Sequence, residues 1–356
     1  MLINDDQRRK DLKKKIWIDL LNPSHPLFFH PLVKDLKEHY SVEITIRKRG
    51  ETAQLARRLG LEGELVGKDM TDPIRKTLWI SARTIQLFGK VGNFDWALSL
   101  ENPMSVAVSK MRSRKSILIL DNDLKLKIKG NIVQSLESRV KFGADHIIVP
   151  EACRESFERV VPAERLHTYD GFKEDFYIST YEPDPGFMEN LPFSSYVVVR
   201  PEALASFYVK EKRTIVPELV DSLLEEGLNV VYLPREGMDR ELVKGKDVFI
   251  PESPLNGLDL AYHSFAVLTG SGTMSREAAV MGRPAVSFFP GDALLSVDES
   301  MIGKGWVLHS REPEEIVGYL KGLSRRGDGV SGSFDRGRSL RVREELATLI
   351  RSIIDG

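Results

Sequence analysis

The chain has little that would crosslink it or tie it to a membrane or to nucleic acid. Its 356 residues include one cysteine, Cys153, so an internal disulfide and a cysteine-cluster metal site are excluded. No run approaches the roughly 18 uninterrupted apolar residues of a membrane-spanning helix. The 51 lysine and arginine residues against 52 aspartate and glutamate residues leave a net charge of −1. We therefore expect no general attraction to nucleic acid.

Several signature motifs are missing as well. G-x-x-x-x-G-K-[ST] does not occur, which argues against a P-loop nucleotidase. Gly270–Ser275 begins like a dinucleotide-binding fingerprint but has Ser275 at the third glycine position. Neither H-E-x-x-H nor paired cysteines are present, so the sequence predicts no metal site. The apolar run Ile16–Leu21 behind the basic N-terminus is too short for a signal peptide, and we expect a soluble, cytoplasmic protein.

What is present is a regular alternation of short apolar runs and longer helical patterns. Several runs are continuously apolar, as in parallel strands covered by helices on both faces. Repeated βα units predict a doubly wound α/β architecture. The predicted strands are Ile16–Leu21, Val42–Ile46, Ala97–Leu100, Ser116–Leu120, His146–Val149, Tyr196–Arg200, Asn229–Leu233, Asp247–Ile250, Phe265–Thr269, Pro284–Phe288 and Trp306–Leu308. The predicted helices include Pro26–Tyr40, Glu51–Leu59, Thr71–Lys90, Gly130–Phe142, Glu211–Glu226 and Gly272–Met281.

The length and the turn formers predict two domains. Tyr181–Gly186, with Pro183, Pro185 and Gly186, separates two α/β blocks and is the expected hinge. Near the end, Gly327–Ser333 reads as a flexible linker before a last helix with an apolar stripe. We predict a polar extension at 1–14, a Rossmann-like N-terminal domain at 15–182, a Rossmann-like C-terminal domain at 183–335, and a helix at 336–356 that packs across the domain junction.

The strongest local motif is the segment from Val267 to Pro284. A strand ends at Thr269, the turn Gly270-Ser271-Gly272-Thr273 follows, and a helix begins near Thr273. Glycines permit close backbone approach, and the N–H groups and positive end of a helix attract phosphate, to which Ser271 and Thr273 add hydroxyls. Glu277, on the same helix face as Thr273, suits a ribose diol, and Gly282 is expected to end the helix. The alternative is an ordinary βα turn in which Thr273 is the N-cap.

A second motif follows the first strand. The loop Asn22-Pro23-Ser24-His25 must lie at the carboxyl end of that strand, which is where open α/β sheets bind ligands. His25 is the candidate general base, because the unperturbed pKa of histidine is the side-chain pKa nearest neutrality. The alternative is a helix-start residue that is hydrogen-bonded to the loop.

Other candidates lie at strand ends. Asp121 and Asp123 follow the strand Ser116–Leu120 and suit either the orientation of His25 or a turn. Lys173, Arg200 and Arg235 are each either a diphosphate partner or a solvated surface charge. Asp292 occupies a loop after Phe288–Gly291 that we expect to hold sugar hydroxyls.

The first domain also has a basic, amphipathic character. Ser109–Lys129 carries seven lysine and arginine residues against only Asp121 and Asp123. Such a surface fits either a solvated face over a core helix, which we expect, or peripheral contact with an anionic membrane. The acceptor implied by the second alternative is lipid-linked, such as a polyprenyl phosphate or another cell-envelope precursor. No recognition motif for nucleic acid is visible.

These segments resemble known proteins. His25–Leu36 with Val42–Ile46 looks like the opening of GT-B glycosyltransferases, and Gly270–Ala279 is similar to their donor-nucleotide motif, shared by MurG-like transferases and non-hydrolysing UDP-N-acetylglucosamine 2-epimerases. The chain from Lys15 to about Asp355 resembles an uncharacterised GT-B-like family of unknown function, DUF354. Its supporting segments are Trp17–Pro23, Tyr169–Glu174, Arg200–Glu202 and Gly270–Glu277.

The resemblance implies an acceptor domain followed by a nucleotide-sugar donor domain that face a cleft. Our first hypothesis is an enzyme that binds a nucleotide-sugar, a UDP-sugar, and transfers the glycosyl group to an acceptor without a metal or other cofactor. The alternatives are a UDP-sugar 2-epimerase and a non-catalytic sugar-nucleotide-binding protein. Two departures from the relatives are visible: Asn22-Pro23-Ser24 replaces the glycine-rich loop of MurG-like enzymes, and the carboxylate set of the epimerases is not evident in the first domain.

Overall fold

The structure is a computed structural model that describes residues 13–48, 50–68, 76–128, 132–204, 211, 213–326 and 334–356. Several sequence predictions lie wholly or partly outside these residues. They are most of the extension at 1–14, the first turn of the helix at 71–90, the start of the helix at 130–142, residue 212 in the helix at 211–226, and the linker at 327–333, together with Lys129 of the basic stretch.

The described chain forms two separate parallel sheets, which confirms the predicted α/β class with two parallel-sheet blocks. The first sheet has seven strands in the order β3-β2-β1-β4-β5-β6-β7, and the second has five in the order β12-β11-β10-β8-β9. Both orders reverse direction inside the sheet, as in doubly wound folds. The reversal lies between β1 and β4 in the first sheet and between β8 and β10 in the second.

The chain divides into two compact units. Unit 1 comprises Met1–Tyr177 and Arg341–Gly356, and unit 2 comprises Ile178–Leu340. The strands of unit 1 are β1 (Lys15–Leu20), β2 (Ser41–Lys48), β3 (Glu64–Lys68), β4 (Trp96–Leu100), β5 (Lys115–Ile119), β6 (His146–Pro150) and β7 (Leu166–Tyr169). Its helices are α1 (Ser24–His39), α2 (Gly50–Arg58), α3 (Lys76–Lys90), α4 (Pro103–Met111), α5 (Leu124–Lys127), α6 (Ile132–Lys141), α7 (Arg154–Glu158) and α8 (Lys173–Ile178), the last of which ends at the unit boundary.

Unit 2 is built on the smaller sheet. Its strands are β8 (Val197–Arg200), β9 (Val230–Tyr232), β10 (Ala266–Thr269), β11 (Ala285–Ser287) and β12 (Val307–His309). Its helices are α9 (Val216–Glu225), α10 (Gly257–His263), α11 (Gly272–Val280), α12 (Ser296–Gly303) and α13 (Pro313–Arg326). The last helix, α14 (Arg336–Asp355), begins in unit 2 and ends in unit 1.

The apolar runs form these strands because both faces of each sheet are covered. In unit 1, Ile16, Trp17 and Ile18 of β1 have no exposed surface. In unit 2, the inner strand β10 is buried throughout, and its Ala266 and Leu268 side chains join a core formed with α9 and α13. Continuous burial of this kind is what distinguishes a parallel strand from the alternating pattern of a half-exposed one.

Within unit 1, the C-terminal part of α14 is anchored by side chains from several elements. Arg343 pairs with Asp35 at 2.8 Å, and the Tyr40 hydroxyl donates to Asp355 at 2.8 Å. Burial and the Asp355 carboxylate raise the pKa of Tyr40 to about 12, so this hydroxyl stays a donor at neutral pH. The predicted apolar stripe is confirmed for Leu346 and Ile350, which are buried, and is wrong for Leu340, which is exposed. The predicted packing of this helix across a domain junction stays a prediction.

The predicted set of strands needs three corrections. The edge strands β3 and β7 were missed, because their sequences mix polar and apolar residues. The predicted strand Asp247–Ile250 is wrong: this segment makes only one isolated bridge, between Phe249 and Val231. The segment pairs with β9 only at that bridge. Pro251, which follows Ile250, has no N–H group to donate to a neighbouring strand.

No helix in the described part of the chain is long and apolar enough to cross a bilayer.

Candidate functional site

The sheet reversals identify where each unit is expected to bind a ligand. Open α/β sheets bind ligands beyond the carboxyl ends of the strands, at the point where strand order reverses. In unit 2 this point lies between β8 and β10, where Arg200 and Thr269 are register partners. In unit 1 it lies between β1 and β4, which end in the His25 loop and in Glu101–Asn102. The sequence motifs at Gly270 and His25 therefore lie at the two reversal points.

The turn after β10 in unit 2 brings the backbone of two neighbouring strands together. The Gly270 N–H donates to the Arg200 carbonyl at 3.0 Å, and the Ser271 N–H donates to the Thr269 hydroxyl at 3.0 Å. Helix α11 then begins at Gly272, with Ser271 as its N-cap residue in extended conformation. The alternative in which Thr273 caps this helix is therefore wrong, because Thr273 is already inside the first turn.

The two glycines of this turn have different close neighbours. A Cβ at Gly270 would lie 2.5 Å from the Glu202 Cα, so only glycine permits the backbone after β8 to pass so closely. A Cβ at Gly272 would lie 2.5 Å from Nη1 of Arg276, which is a side-chain atom. We expected Gly270 to let a phosphate approach the backbone closely. The group that lies close to Gly270 is instead the protein's own backbone at Glu202.

We expect Gly270→Ala to be more destabilising than Gly272→Ala. Overpacking typically costs about 1–3 kcal/mol, and a backbone atom such as the Glu202 Cα has less freedom to move aside than the end of the Arg276 side chain. Urea unfolding of both variants beside the wild type measures the difference. Equal losses of unfolding free energy in the two variants would contradict this account of the turn.

Two arginines lie on the elements that form this turn. The Nε of Arg200 is buried and has no hydrogen-bond partner among the described residues. Arg276, which is 3% exposed, pairs with Asp298 at 2.7 Å, and neither residue was singled out from the sequence. Glu277 is half-buried on α11, as its predicted place on that helix requires. The turn therefore combines a helix start with two arginines, which is an anion-binding arrangement.

Two other candidates in unit 2 lie in different surroundings. The Arg235 Nε donates to the Pro201 carbonyl at 2.8 Å, and its N–H donates to Asp239 at 2.8 Å. Arg235 therefore ties the loops after β8 and β9 together. Asp292 is exposed on the loop after β11. The predicted role of Arg235 as a diphosphate partner stays a prediction, as does the predicted sugar-binding role of Asp292.

In unit 1, His25 is enclosed at the start of α1. Its imidazole is 1% exposed, and Nδ1 accepts the Leu21 N–H at 3.1 Å, so the neutral ring carries its proton on Nε2. The His25 N–H donates to the Asn22 carbonyl at 3.0 Å, while Ser24 is half-buried at the first helical position. The ring thus closes the loop, and its role as a base stays a prediction that requires the Leu21 bond to be given up.

The electrostatic surroundings of His25 make it a weak base. Burial lowers its pKa to about 4, with the Asp19 carboxylate acting in the opposite direction and the Lys173 ammonium lowering it further. The ring is therefore neutral at physiological pH.

Asp121 and Lys173 are brought together as an ion pair. Nζ of Lys173 lies 2.7 Å from Oδ2 of Asp121, and both residues are buried. Lys173, expected as a diphosphate partner, thus neutralises the carboxylate that was expected to orient His25. Asp123 is fully buried and accepts the Ser156 hydroxyl at 2.6 Å. The pair places one carboxylate and one ammonium beyond the ends of β5 and β7.

Glu101 is a residue that the sequence reasoning missed. It follows β4 and has a left-handed backbone with φ of 51°, which is uncommon outside glycine and marks functional sites in many proteins. Its Oε1 accepts the N–H groups of Asp121 and Asn122, both at 3.1 Å, and its Oε2 accepts Lys141 at 2.5 Å. An acidic residue directly after a predicted strand was the available signal.

A second missed feature is a buried network in the middle of β1. Asp19 and Arg83 are fully buried and bonded through both carboxylate oxygens, at 2.7 and 2.8 Å. The Asp19 carboxylate also accepts Thr45 and Asn102, each at 2.7 Å. Asn102 in turn caps α4 by accepting the Met104 N–H. This network holds β1, β2 and the end of β4 together at the reversal point of unit 1.

Among the residues that the structure describes, no group of three or more histidine, cysteine, aspartate or glutamate side chains is arranged to hold a metal ion.

Comparisons with known proteins extend over most of the chain. The family described as "Protein of unknown function (DUF354)" matches residues 14–334. The uncharacterized protein MJ0665 of Methanocaldococcus jannaschii is 25% identical over 319 residues, which cover 86% of this chain and 90% of that protein.

Solved structures share the fold at low identity. UDP-N-acetylglucosamine 2-epimerase from Rickettsia bellii matches with a TM-score of 0.73 and 14% identity, over 96% of this chain and 97% of that one. Methanocaldococcus jannaschii UDP-GlcNAc 2-epimerase in complex with UDP-GlcNAc and UDP matches with a TM-score of 0.71 and 12% identity, over 96% and 100%. The glycotransferase of kitacinnamycin matches with a TM-score of 0.58 and 13% identity, over 96% and 98%. The predicted GT-B-like fold is thereby confirmed.

Proposed function

Because the chain belongs to the DUF354 family of proteins of unknown function, we propose from its site geometry that it is an enzyme that binds a UDP-sugar through unit 2 and transfers the glycosyl group to an acceptor. The observation that carries the proposal is the turn after β10, where the start of α11 lies at the sheet reversal. The neighbouring strand β8 ends there at Arg200, whose Nε is buried and has no hydrogen-bond partner among the described residues. The complexes named for structures of the same fold, with UDP and UDP-GlcNAc, support this ligand class.

In this proposal, unit 2 binds the diphosphate without a metal ion. The N–H groups in the first turn of α11 and the positive helix end stabilise the negative charge that develops on the departing diphosphate. Arg200 supplies a charge-assisted hydrogen bond. Glu277 accepts the two ribose hydroxyls one turn further along the helix. This arrangement supports UDP as a leaving group because every donor is preorganised by the fold.

Unit 1 supplies the groups that we assign to the acceptor. His25 takes the proton from the attacking hydroxyl once its ring has released the Leu21 N–H, and Asp121 with Lys173 provides a paired charge beyond β5. The acceptor itself stays open, with a lipid-linked or cell-envelope precursor as the alternative that the basic stretch supports. A cytoplasmic location is part of the same proposal.

Epimerisation is the second candidate, and two observations favour it. Glu101, which the sequence did not single out, adds a second carboxylate beside Asp121 at the ends of neighbouring strands. The structures of the same fold include several that are named as UDP-N-acetylglucosamine 2-epimerases. Epimerisation needs no acceptor, so it requires nothing from the basic surface.

Incubation of the full chain with UDP-N-acetylglucosamine distinguishes the candidates. Release of UDP that depends on an added acceptor supports transfer, and formation of the C2 epimer without acceptor supports epimerisation. Saturable binding with no product would leave a sugar-nucleotide-binding protein, whereas absence of binding to UDP and its sugars would overturn the proposal.

Replacing Glu277 by alanine tests the ribose contact. We expect UDP and uridine each to bind more weakly by about 1–3 kcal/mol, because a hydroxyl pair loses its charged acceptor. Isothermal titration measures both affinities, and Glu226→Ala, which removes a surface carboxylate paired with Lys321, is the matched control. If Glu277→Ala binds UDP as the wild type does, Glu277 has no part in the site.

A further inference from the structure

An ion pair lies directly against the start of α11. Arg276 is almost fully buried, and its Nη1 donates to Oδ1 of Asp298 on α12 at 2.7 Å. Its Nη2 lies 3.5 Å from the Thr273 hydroxyl, at the limit of a hydrogen bond. A Cβ at Gly272 would lie 2.5 Å from the guanidinium and 3.2 Å from Oδ2 of Asp298. The ion pair therefore lies beside the first turn of the helix.

This position is unfavourable for an arginine unless an anion is present. The N-terminal end of a helix is already positive, and cations stabilise helices at the opposite end. Arg276 nevertheless folds back toward the helix start, where Asp298 offsets its charge. A buried pair of this kind contributes little net stability compared with apolar residues of similar volume. The stability gained by joining α11 to α12 therefore does not account for a buried ion pair at this position.

We propose that Arg276 is a phosphate-binding residue and that Asp298 is its exchangeable counter-ion. The inference rests on the proposed function, since it concerns the same UDP-sugar site in unit 2. An incoming diphosphate replaces Asp298 as the ion-pair partner of the Arg276 guanidinium. The Asp298 carboxylate therefore competes with the diphosphate for the same donor. The pair thereby makes the site selective for a nucleoside diphosphate over an uncharged nucleoside.

Asp298→Asn separates this role from a structural one. The amide keeps the shape and a hydrogen-bond acceptor but removes the competing charge, so UDP should bind about tenfold more tightly while uridine affinity stays the same. In the double variant Arg276→Gln with Asp298→Asn, no buried charge is left unpaired, and UDP should bind about tenfold more weakly than to the wild type. Thermal melting confirms that both variants are folded before titration.

The controls distinguish failure of this inference from failure of the proposed function. Asp221→Asn removes a carboxylate from a pair with Lys246 elsewhere in unit 2 and should leave UDP affinity unchanged. Two results would overturn the inference and leave the proposed function standing, provided that the wild type binds UDP. Either the affinity of Asp298→Asn for UDP is no higher than that of the wild type, or its affinity for uridine rises by the same factor. Pyrophosphate is titrated in parallel. If neither UDP nor pyrophosphate binds the wild type or either variant, both are overturned.

Discussion

Replacing Arg83 by alanine is expected to lower the free energy of unfolding by about 3–5 kcal/mol, because it leaves the Asp19 carboxylate buried without its charged partner. Neither side chain has exposed surface, so the Asp19 carboxylate that is left behind has no contact with bulk water. Urea unfolding at neutral pH measures the loss. Lys90→Ala is the control, because the Lys90–Glu64 pair is about half exposed and should contribute no more than about 1 kcal/mol.

The pH dependence gives this prediction a second measurement. Burial raises the pKa of Asp19, but Arg83, with the bonds from Thr45 and Asn102, outweighs burial and holds the pKa below its usual value. A carboxyl with a lowered pKa stabilises the fold above the ordinary aspartate pKa of about 4, and this stabilisation is lost as the pH falls through the lowered value. The difference between wild type and Arg83→Ala should therefore shrink below about pH 4. A difference that stays constant there would mean that Asp19 is not the stranded group.

Replacing His25 by alanine is expected to lower turnover of a UDP-sugar by about 10²–10⁴-fold, the usual loss for a positioned general base. UDP affinity should stay the same, because the nucleotide groups belong to unit 2. The activity of the wild type should be constant from neutral pH down to about 5 and should fall as the pH approaches 4, because burial lowers the pKa of His25 to about 4. A group with an ordinary histidine pKa would instead lose activity below about 6.5.

Release of UDP measured across this pH range tests both points. His30→Ala is the matched control, since His30 is a half-buried histidine on the same helix that has no assigned role. Full turnover in His25→Ala would show that the ring only closes the loop through its bond with Leu21. The proton acceptor would then have to be Asp121 or Glu101, which lie at the neighbouring strand ends.

The candidate site was only partly accessible from the sequence. The turn at Gly270–Thr273 was predicted because a strand end, two glycines and a helix start lie within a few residues of each other. The reason given for Gly270 was different from the one observed, since the close neighbour is the Glu202 backbone. That neighbour is far away in the chain, so no local pattern could identify it.

The sequence by itself determined the class of fold, because its signals are local. Continuous apolar runs such as Val197–Val199 specify strands buried on both faces, and Gly282, with φ of 69°, ends α11 as its residue type predicts. Neighbouring strands determined that β7 forms an edge strand and that the segment at Phe249 makes only a single bridge. An edge segment becomes a strand only when an adjacent strand offers it backbone partners in register.

Only the tertiary structure decided which charges meet. Asp19 and Arg83 are 64 residues apart, Asp121 and Lys173 are 52 apart, and Arg276 and Asp298 are 22 apart, yet each pair is in direct contact. A charged side chain has no periodic signal that names its partner, since attraction acts on distance in space rather than along the chain. The crossovers of a parallel sheet bring separate strand ends to one edge, and this arrangement places Lys173, predicted as a diphosphate partner, in an ion pair with Asp121.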